Sequence, residues 1–152
     1  MLFKPNNTAT RAQLSKLVVL AAGWTLENPA TATFNDVQPG STFYQVVETA
    51  AAHGVSSGYP CGGSGEPCPG RYFRPGNNVT RAQTAKMVSV SRGWAIVTPA
   101  TPTFADMPFD GSAGSLYSYV ETSASKGIIS GYPCGGASEP CDGQNRPYFR
   151  PG

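Results

Sequence analysis

The chain repeats itself, and that repetition restricts the fold more than any other feature. Thr10-Arg11-Ala12-Gln13 returns as Thr80-Arg81-Ala82-Gln83, Gly23-Trp24 as Gly93-Trp94, and Phe34-Asn35-Asp36 as Phe104-Ala105-Asp106, each 70 residues on. Later the offset becomes 73, where Gly58-Tyr59-Pro60-Cys61-Gly62-Gly63 matches Gly131-Tyr132-Pro133-Cys134-Gly135-Gly136. The extra residues therefore fall in the loop around Pro108 to Gly114. The phrase Phe-Lys/Arg-Pro occurs at Phe3-Lys4-Pro5, Phe73-Arg74-Pro75 and Phe149-Arg150-Pro151. A period of this kind signals stacked supersecondary units, each with too little core to fold alone. The chain begins and ends on the same phrase, so it reads as two periods of an array cut out of phase.

Each period reads as two helices joined by structured loops. Thr10 followed by Gln13 is a capping box, in which the hydroxyl and the amide side chain satisfy orphan backbone groups. Leu14, Leu17, Val18 and Ala21 follow at helical spacing and are the expected core face. Gly23 supplies a left-handed C-cap. The second helix is predicted to open at Thr42, with Gln45 three residues on, to bury Phe43, Val46, Val47 and Ala50, and to end at Gly54. Thr80 and Ser115 open the copies, with Met87, Val88, Tyr119 and Val120 inside. Gly-Tyr-Pro and Phe-Arg-Pro predict turns and short extended pieces.

Cys61 and Cys68, like Cys134 and Cys141, have six residues between them. Two such pairs could also supply four sulfur ligands to zinc. The intervals are wider than zinc knuckles and the pairs sit on different periods, which favours one local disulfide per period. With few charged residues (13% of the chain), paired cysteines point to an oxidising, extracellular setting.

Several function classes lose support. A net charge of +2, carried by scattered cations, lacks the clustered basic face that nucleic acid requires. No stretch approaches the roughly 20 apolar residues of a membrane span. The start shows no signal-peptide core, so a leader has been removed or the chain is a piece of something longer. His53 is the only histidine, expected to be exposed near a helix end, and Lys126 takes its place in the second period. Glu48 and Glu121 repeat on equivalent helices, which suits a scaffold better than a paired-carboxylate glycosidase. Asp36 and Asp106 precede turns and are expected to cap backbone amides rather than hold calcium, whose loops need closely spaced acids. No enzyme activity and no cofactor are expected. Asn6-Asn7-Thr8 and Asn78-Val79-Thr80 are glycosylation sequons with acceptors Asn6 and Asn78. The Thr/Pro stretches Pro29 to Thr33 and Thr98 to Thr103 resemble glycan-bearing linkers.

Phe34-x-Asp36-Val37, the helix ending Ala51-Ala52-x-Gly54-Val55, Gly58-Tyr59-Pro60, Phe73-Arg74-Pro75 and Thr80-Arg81-Ala82-Gln83 together resemble the S-layer homology signature in its usual order. The resemblance spans nearly the whole chain. It divides it into the back half of a unit (1–33), a complete unit (34–103) and the front half of a further unit (104–152), completed in one reading by the next chain. The fold it implies is mainly α: tandem helix-loop-helix units with short extended segments and disulfide-bridged loops, packed as an array. In the family, grooves between units bind anionic cell-wall polysaccharide and attach proteins to the envelope. Carried over by motif, Arg11 and Arg81 would pair with an anionic sugar group, a task suited to the guanidinium fork. Trp24 and Trp94 would stack on a sugar face, and Tyr59 and Tyr132 would line the site; for the arginines and tryptophans, solvation and core packing are the competing readings. Two departures are plain. The family's glutamate is Gln13 and Gln83 here, and its short Gly-Tyr turn is expanded into the cysteine loop.

The phase of the cut suggests a function of its own. A first helix without its partner and a last unit without its second helix predict head-to-tail joining of copies. The leading expectation is thus an extracellular structural protein forming a surface filament or layer. The alternative is a module that anchors a larger protein to wall polysaccharide. Both place the chain at the cell surface or cell wall.

Overall fold

The structure, a computed structural model, describes residues 7–152. The described residues form four helices and a two-stranded sheet: α1 (Arg11–Ala22), α2 (Tyr44–Ala52), β1 (Tyr59–Pro60), β2 (Arg71–Tyr72), α3 (Arg81–Ser91) and α4 (Leu116–Ser125). The chain divides into two compact units, Met1–Val79 and Thr80–Gly152. In the first α1 packs on α2, and in the second α3 packs on α4. The expectation that α1 lacks a partner is thereby overturned. Its partner is α2, brought back to it by the loop through Phe34, so no helix among the described residues is left without a mate.

The capped helix starts follow the sequence. Thr10 accepts the Gln13 amide on its hydroxyl while Gln13 accepts the Thr10 N–H, and Thr80 and Gln83 repeat the arrangement. The other orphan amides of α1 are met by the end of the same unit: Arg11 N–H donates to the Asn77 carbonyl and Ala12 N–H to that of Pro75. The first turn of α1 is therefore tied to the Phe-Arg-Pro phrase, as every buried amide needs a partner. Gly23 closes α1 in the left-handed conformation at φ 69.

Two sequence expectations fail. The buried face of α1 is Arg11, Ala12, Ser15, Val18 and Val19, while Leu17 and Ala21 are exposed and Leu14 is only half-buried. Helical spacing defines a stripe, but α1 is turned so that its small residues meet α2. The second helix starts at Tyr44, and Phe43, which takes the N-cap position, makes no side-chain cap bond. Thr42 is displaced from that role because the Tyr44 side chain is buried and its hydroxyl donates to the Pro29 carbonyl at 2.7 Å, which fixes the helix start. Ser115 does cap α4, accepting the Ser118 N–H.

Each unit has its own apolar core. Ala12, Phe34, Val37, Tyr44, Val47 and Phe73 form one, and Ala82, Ala85, Phe104, Met107, Tyr117, Val120 and Phe149 the other. Phe34 meets Phe73 at 5.4 Å and Phe104 meets Phe149 at 5.2 Å between ring centres, a separation suited to tilted aromatic pairs. The glycine of Gly-Tyr-Pro is needed for close approach. A Cβ at Gly58 would lie 2.4 Å from the Phe34 ring, and one at Gly131 would lie 2.7 Å from Phe104.

Buried carboxylates hold the long loops. Glu48 accepts both the Thr33 N–H and hydroxyl, at 2.9 and 2.6 Å, and Glu121 does the same for Thr103. The Pro29 to Thr33 and Thr98 to Thr103 stretches are therefore anchored against α2 and α4, not free linkers. The scaffold role expected for the repeated glutamates is visible in these bonds.

Candidate functional site

The two halves of the repeat build the same constellation around an arginine, a tyrosine and the Phe-Arg-Pro phrase. Asp36 and Asp106 set it up. Asp36 accepts the backbone N–H groups of Phe73 and Arg74 at 2.7 and 2.6 Å, and Asp106 those of Phe149 and Arg150 at 2.6 Å each. These aspartates cap amides, as expected, but amides some 37 residues downstream for Asp36. The capped residues Arg74 and Arg150 adopt φ 60 and 58. Left-handed backbone is unfavourable for a side chain of this kind and persists only where surrounding bonds hold it. The carboxylate on the arginine's own N–H is such a bond.

The cysteines form two local disulfides, Cys61–Cys68 and Cys134–Cys141. All four sulfurs are bonded, so none is a thiolate able to ligate zinc. Each bridge closes a loop carrying one glutamate. Glu66 holds the Arg74 fork at 2.7 and 2.8 Å, and Glu139 holds that of Arg150 at 2.7 and 2.8 Å. Hydrogen bonding from the arginine pulls each glutamate below the ordinary carboxylate range, and the carboxylate raises each arginine. Paired in this way, Arg74 stacks on the Tyr59 ring at 4.3 Å and Arg150 on the Tyr132 ring at 3.9 Å. The sequence reading missed these four residues. Their signal was present: Glu-Pro recurs before the second cysteine, and the arginine recurs in Phe-Arg-Pro.

The arginines of the Thr-Arg-Ala-Gln motif differ between the halves. Arg11 is only 7% exposed. Its Nε donates to the Phe73 carbonyl at 2.8 Å, Nη1 reaches the Tyr59 hydroxyl and Nη2 the Ser56 hydroxyl, both at 3.3 Å. Burial pushes its guanidinium below the ordinary arginine value, with Tyr59 and Asp36 opposing the shift and Arg74 adding to it. Arg81 is half-buried. Its Nε donates to the Phe149 carbonyl at 2.9 Å and Nη2 to the Ser130 carbonyl at 3.1 Å. Its Nη1 has no bond among the described residues. Arg81 lines a groove of about 400 Å³ with Thr84, Ile128, Ile129, Ser130, Gly131 and Tyr132. Arg81 and Tyr132 are thus brought together, the guanidinium 5.2 Å from the ring centre.

The tryptophans stand apart. Trp24 stacks flat on exposed His53, ring centres 3.8 Å apart and 3° from parallel. Trp94 is half-buried and does not line the Arg81 groove. His53 sits exposed at the C-cap of α2, as expected. Asn78 is exposed and its backbone bridges to Thr10; Asn6 lies outside the described residues.

The family model of the S-layer homology domain matches residues 33–85. No curated protein matches the chain. The matched stretch runs from Thr33 through α2, the first disulfide loop and Phe73-Arg74-Pro75 to the capped start of α3. Through this stretch the chain is similar to an S-layer homology domain. Proteins carrying such domains are associated with the cell surface or cell wall, and the domains bind cell-wall polysaccharide. No helix among the described residues is long and apolar enough to cross a membrane.

Proposed function

We propose that the chain is a non-catalytic module that attaches to anionic cell-wall polysaccharide, with the Arg81 groove as a ligand seat. One observation carries the assignment of the seat. Among the described residues Arg81 keeps an unbonded Nη1 beside an open groove, whereas all three guanidinium nitrogens of Arg11 are engaged inside the protein. A guanidinium fork suits a planar carboxylate because it donates two parallel bonds. Tyr132 walls the groove. On this reading Arg11 and Tyr59 form a structural copy, and the tryptophans pack within the protein. Titration calorimetry with purified wall polysaccharide tests it. Wild type should bind, Arg81→Ala should lose binding, and Arg81→Lys should recover only part of it. Absence of binding by the wild type, or an Arg81→Ala variant that binds equally well, sinks the proposal.

Head-to-tail assembly into a surface filament or layer is the second reading. It no longer draws on an unpaired helix; exchanged exposure supports it instead. Leu17 is 63% exposed while Met87, at the matching position, is 4% exposed; Val55 is 1% exposed while its match Ile128 is 56% exposed. Each unit thus shows water an apolar side chain that the other unit covers. Contacts between copies would bury both surfaces, and non-closing contacts propagate. Sedimentation across a concentration series tests this: Leu17→Lys with Ile128→Lys should abolish association, and a wild type monomeric at every concentration would end the idea. Asn78, exposed in the loop before α3, is the proposed glycan acceptor, and excess intact mass of native material lost in Asn78→Gln would establish it.

A further inference from the structure

The disulfide loops reach further into the chemistry of the groove than a staple would. In the second unit the Cys134–Cys141 loop is folded on itself by two bonds, Gly135 N–H to the Glu139 carbonyl at 2.7 Å and Glu139 N–H to the Gly136 carbonyl at 3.1 Å. Those bonds and the bridge present the Glu139 side chain to Arg150. Arg150 cannot choose its own backbone: Asp106 fixes it in the left-handed conformation. Its fork is held by both oxygens of Glu139, and its face lies 3.9 Å from the centre of the Tyr132 ring. Tyr132 is itself locked to Tyr148 by a reciprocal backbone pair at 2.8 and 2.9 Å. Two guanidiniums, those of Arg150 and Arg81, therefore meet one ring. Like charges so placed repel unless one is neutralised, and Glu139 neutralises Arg150.

We propose that Glu139 is a positioning residue for the Arg81 groove and that the Cys134–Cys141 loop is its carrier, so that opening the bridge loosens the Tyr132 wall and weakens binding. The proposal rests on the reading of that groove as a ligand seat for an anionic polysaccharide. The route is disulfide to Glu139, Glu139 to Arg150, Arg150 to Tyr132, and Tyr132 to the bound anion. Glu139 touches no ligand. Cys61–Cys68, Glu66, Arg74 and Tyr59 repeat the route in the first unit, but there it ends on Arg11, whose nitrogens are already engaged. The same loop thus serves an open seat in one unit and a closed one in the other.

The experiment uses the intact chain, purified anionic wall polysaccharide, and two readouts. Glu139→Gln, and separately Cys134→Ser with Cys141→Ser, should weaken binding about tenfold, the low end of what loss of a group supporting a ligand-binding side chain costs at metal sites. Glu66→Gln should stay within about twofold, as the arginine its route reaches, Arg11, is buried with each guanidinium nitrogen engaged. Glu139→Asp, which keeps the charge that neutralises Arg150, should retain more of the affinity than Glu139→Gln, a difference that a general loss of stability would not produce. Binding unchanged or tighter in both Glu139→Gln and the opened loop overturns the proposal. The second readout needs no ligand: the Tyr132 ring resonances and the Arg150 Nε–H signal by NMR. Both should shift when the bridge is opened while helix content is retained. If wild type binds no polysaccharide, the ligand-seat reading falls, and the resonances alone decide the positioning claim. Ring signals unmoved by opening the bridge overturn it.

Discussion

The first unit closes its arginine inside the protein and the second leaves its arginine beside a groove, although both grow from the same motif. One substitution accounts for part of the difference. Ser56, whose hydroxyl takes Arg11 Nη2, is replaced at the matching position by Ile129, which packs against the second core instead. Arg81 Nη2 must turn to the Ser130 carbonyl, and Nη1 keeps no bond among the described residues. The helix pair differs in the same manner. Ser89 and Ser123 share a hydroxyl hydrogen bond at 3.0 Å between α3 and α4, where the first unit has fully buried Val19 and Ala50. A polar pair and an apolar pair are each self-consistent, and a mixture would strand a hydroxyl. What both units keep is the apparatus that places backbone: the Asp36 and Asp106 caps, the Glu48 and Glu121 braces, and the disulfide loops with their glutamates. The scaffold is repeated, and the exposure of the guanidinium is the quantity that varies.

The largest expected effect tests that contrast directly. Arg11→Ala removes a buried cation bonded at each nitrogen and should cost about 3 kcal/mol in urea unfolding, since the bonded groups lose their partner in the interior. Arg81→Ala should cost about 1 kcal/mol or less, as one of its nitrogens already lacks an internal bond. Equal losses would break the distinction between a structural and a free arginine. Next come the bridges. Each closes a short loop worth about 2.5 kcal/mol in the chain-entropy account, and Cys→Ser pairs made in each unit separately should lower the unfolding midpoint by similar amounts. A far larger loss in one unit would show that its loop braces the core beyond its entropy. A smaller effect is expected at Ser15, a fully buried hydroxyl without a partner among the described residues, where the second unit has Ala85. Ser15→Ala should stabilise by about 1 kcal/mol, because an unsatisfied buried hydroxyl carries that order of penalty. Ala85→Ser should move thermal stability in the opposite direction.

The smallest effect is that of pH. The folded values of Glu66 and Glu139 are lowered, chiefly by their arginines. Their contribution is therefore complete above the ordinary carboxylate range and is lost as pH falls through the lower folded values. NMR titration of the two carboxyls should place both below an unfolded reference. Salt should weaken the Glu139 pair more, since the Arg150 side chain is 50% exposed against 30% for Arg74 and exposed pairs are screened. A carboxyl titrating at its ordinary value would remove that unit's loop from the comparison.

Much of the fold could be read from the chain because the relevant bonds are local. Thr10 with Gln13 and Thr80 with Gln83 cap helices within a single turn, Gly23 ends α1 through its own left-handed backbone, and cysteines seven residues apart have few other partners. The candidate arginines and tyrosines came from the resemblance to the S-layer homology signature, and the repeat supplied each with a second copy. The same spacing could not say which face of α1 meets α2. Leu17 and Ala21 satisfy helical periodicity and still face water, because the stripe is fixed by what packs opposite. Nor could it show that Thr42 cedes the start of α2 to Tyr44, a choice made by the distant Pro29 carbonyl.

By itself, then, the sequence determined the repeat, the helix caps, the paired cysteines and the residue types of the candidate site, all consequences of interactions within a turn or a short loop. The tertiary structure alone decided that α1 belongs with α2, that Asp36 reaches the Phe73 and Arg74 amides, and that Glu139 holds the Arg150 fork beside the Tyr132 ring. It also decided that Arg11 is closed and Arg81 is open. Those outcomes depend on groups far apart in the chain meeting within about 3 Å, the range in which hydrogen bonds form and water is displaced, and no pattern along the sequence encodes such a distance.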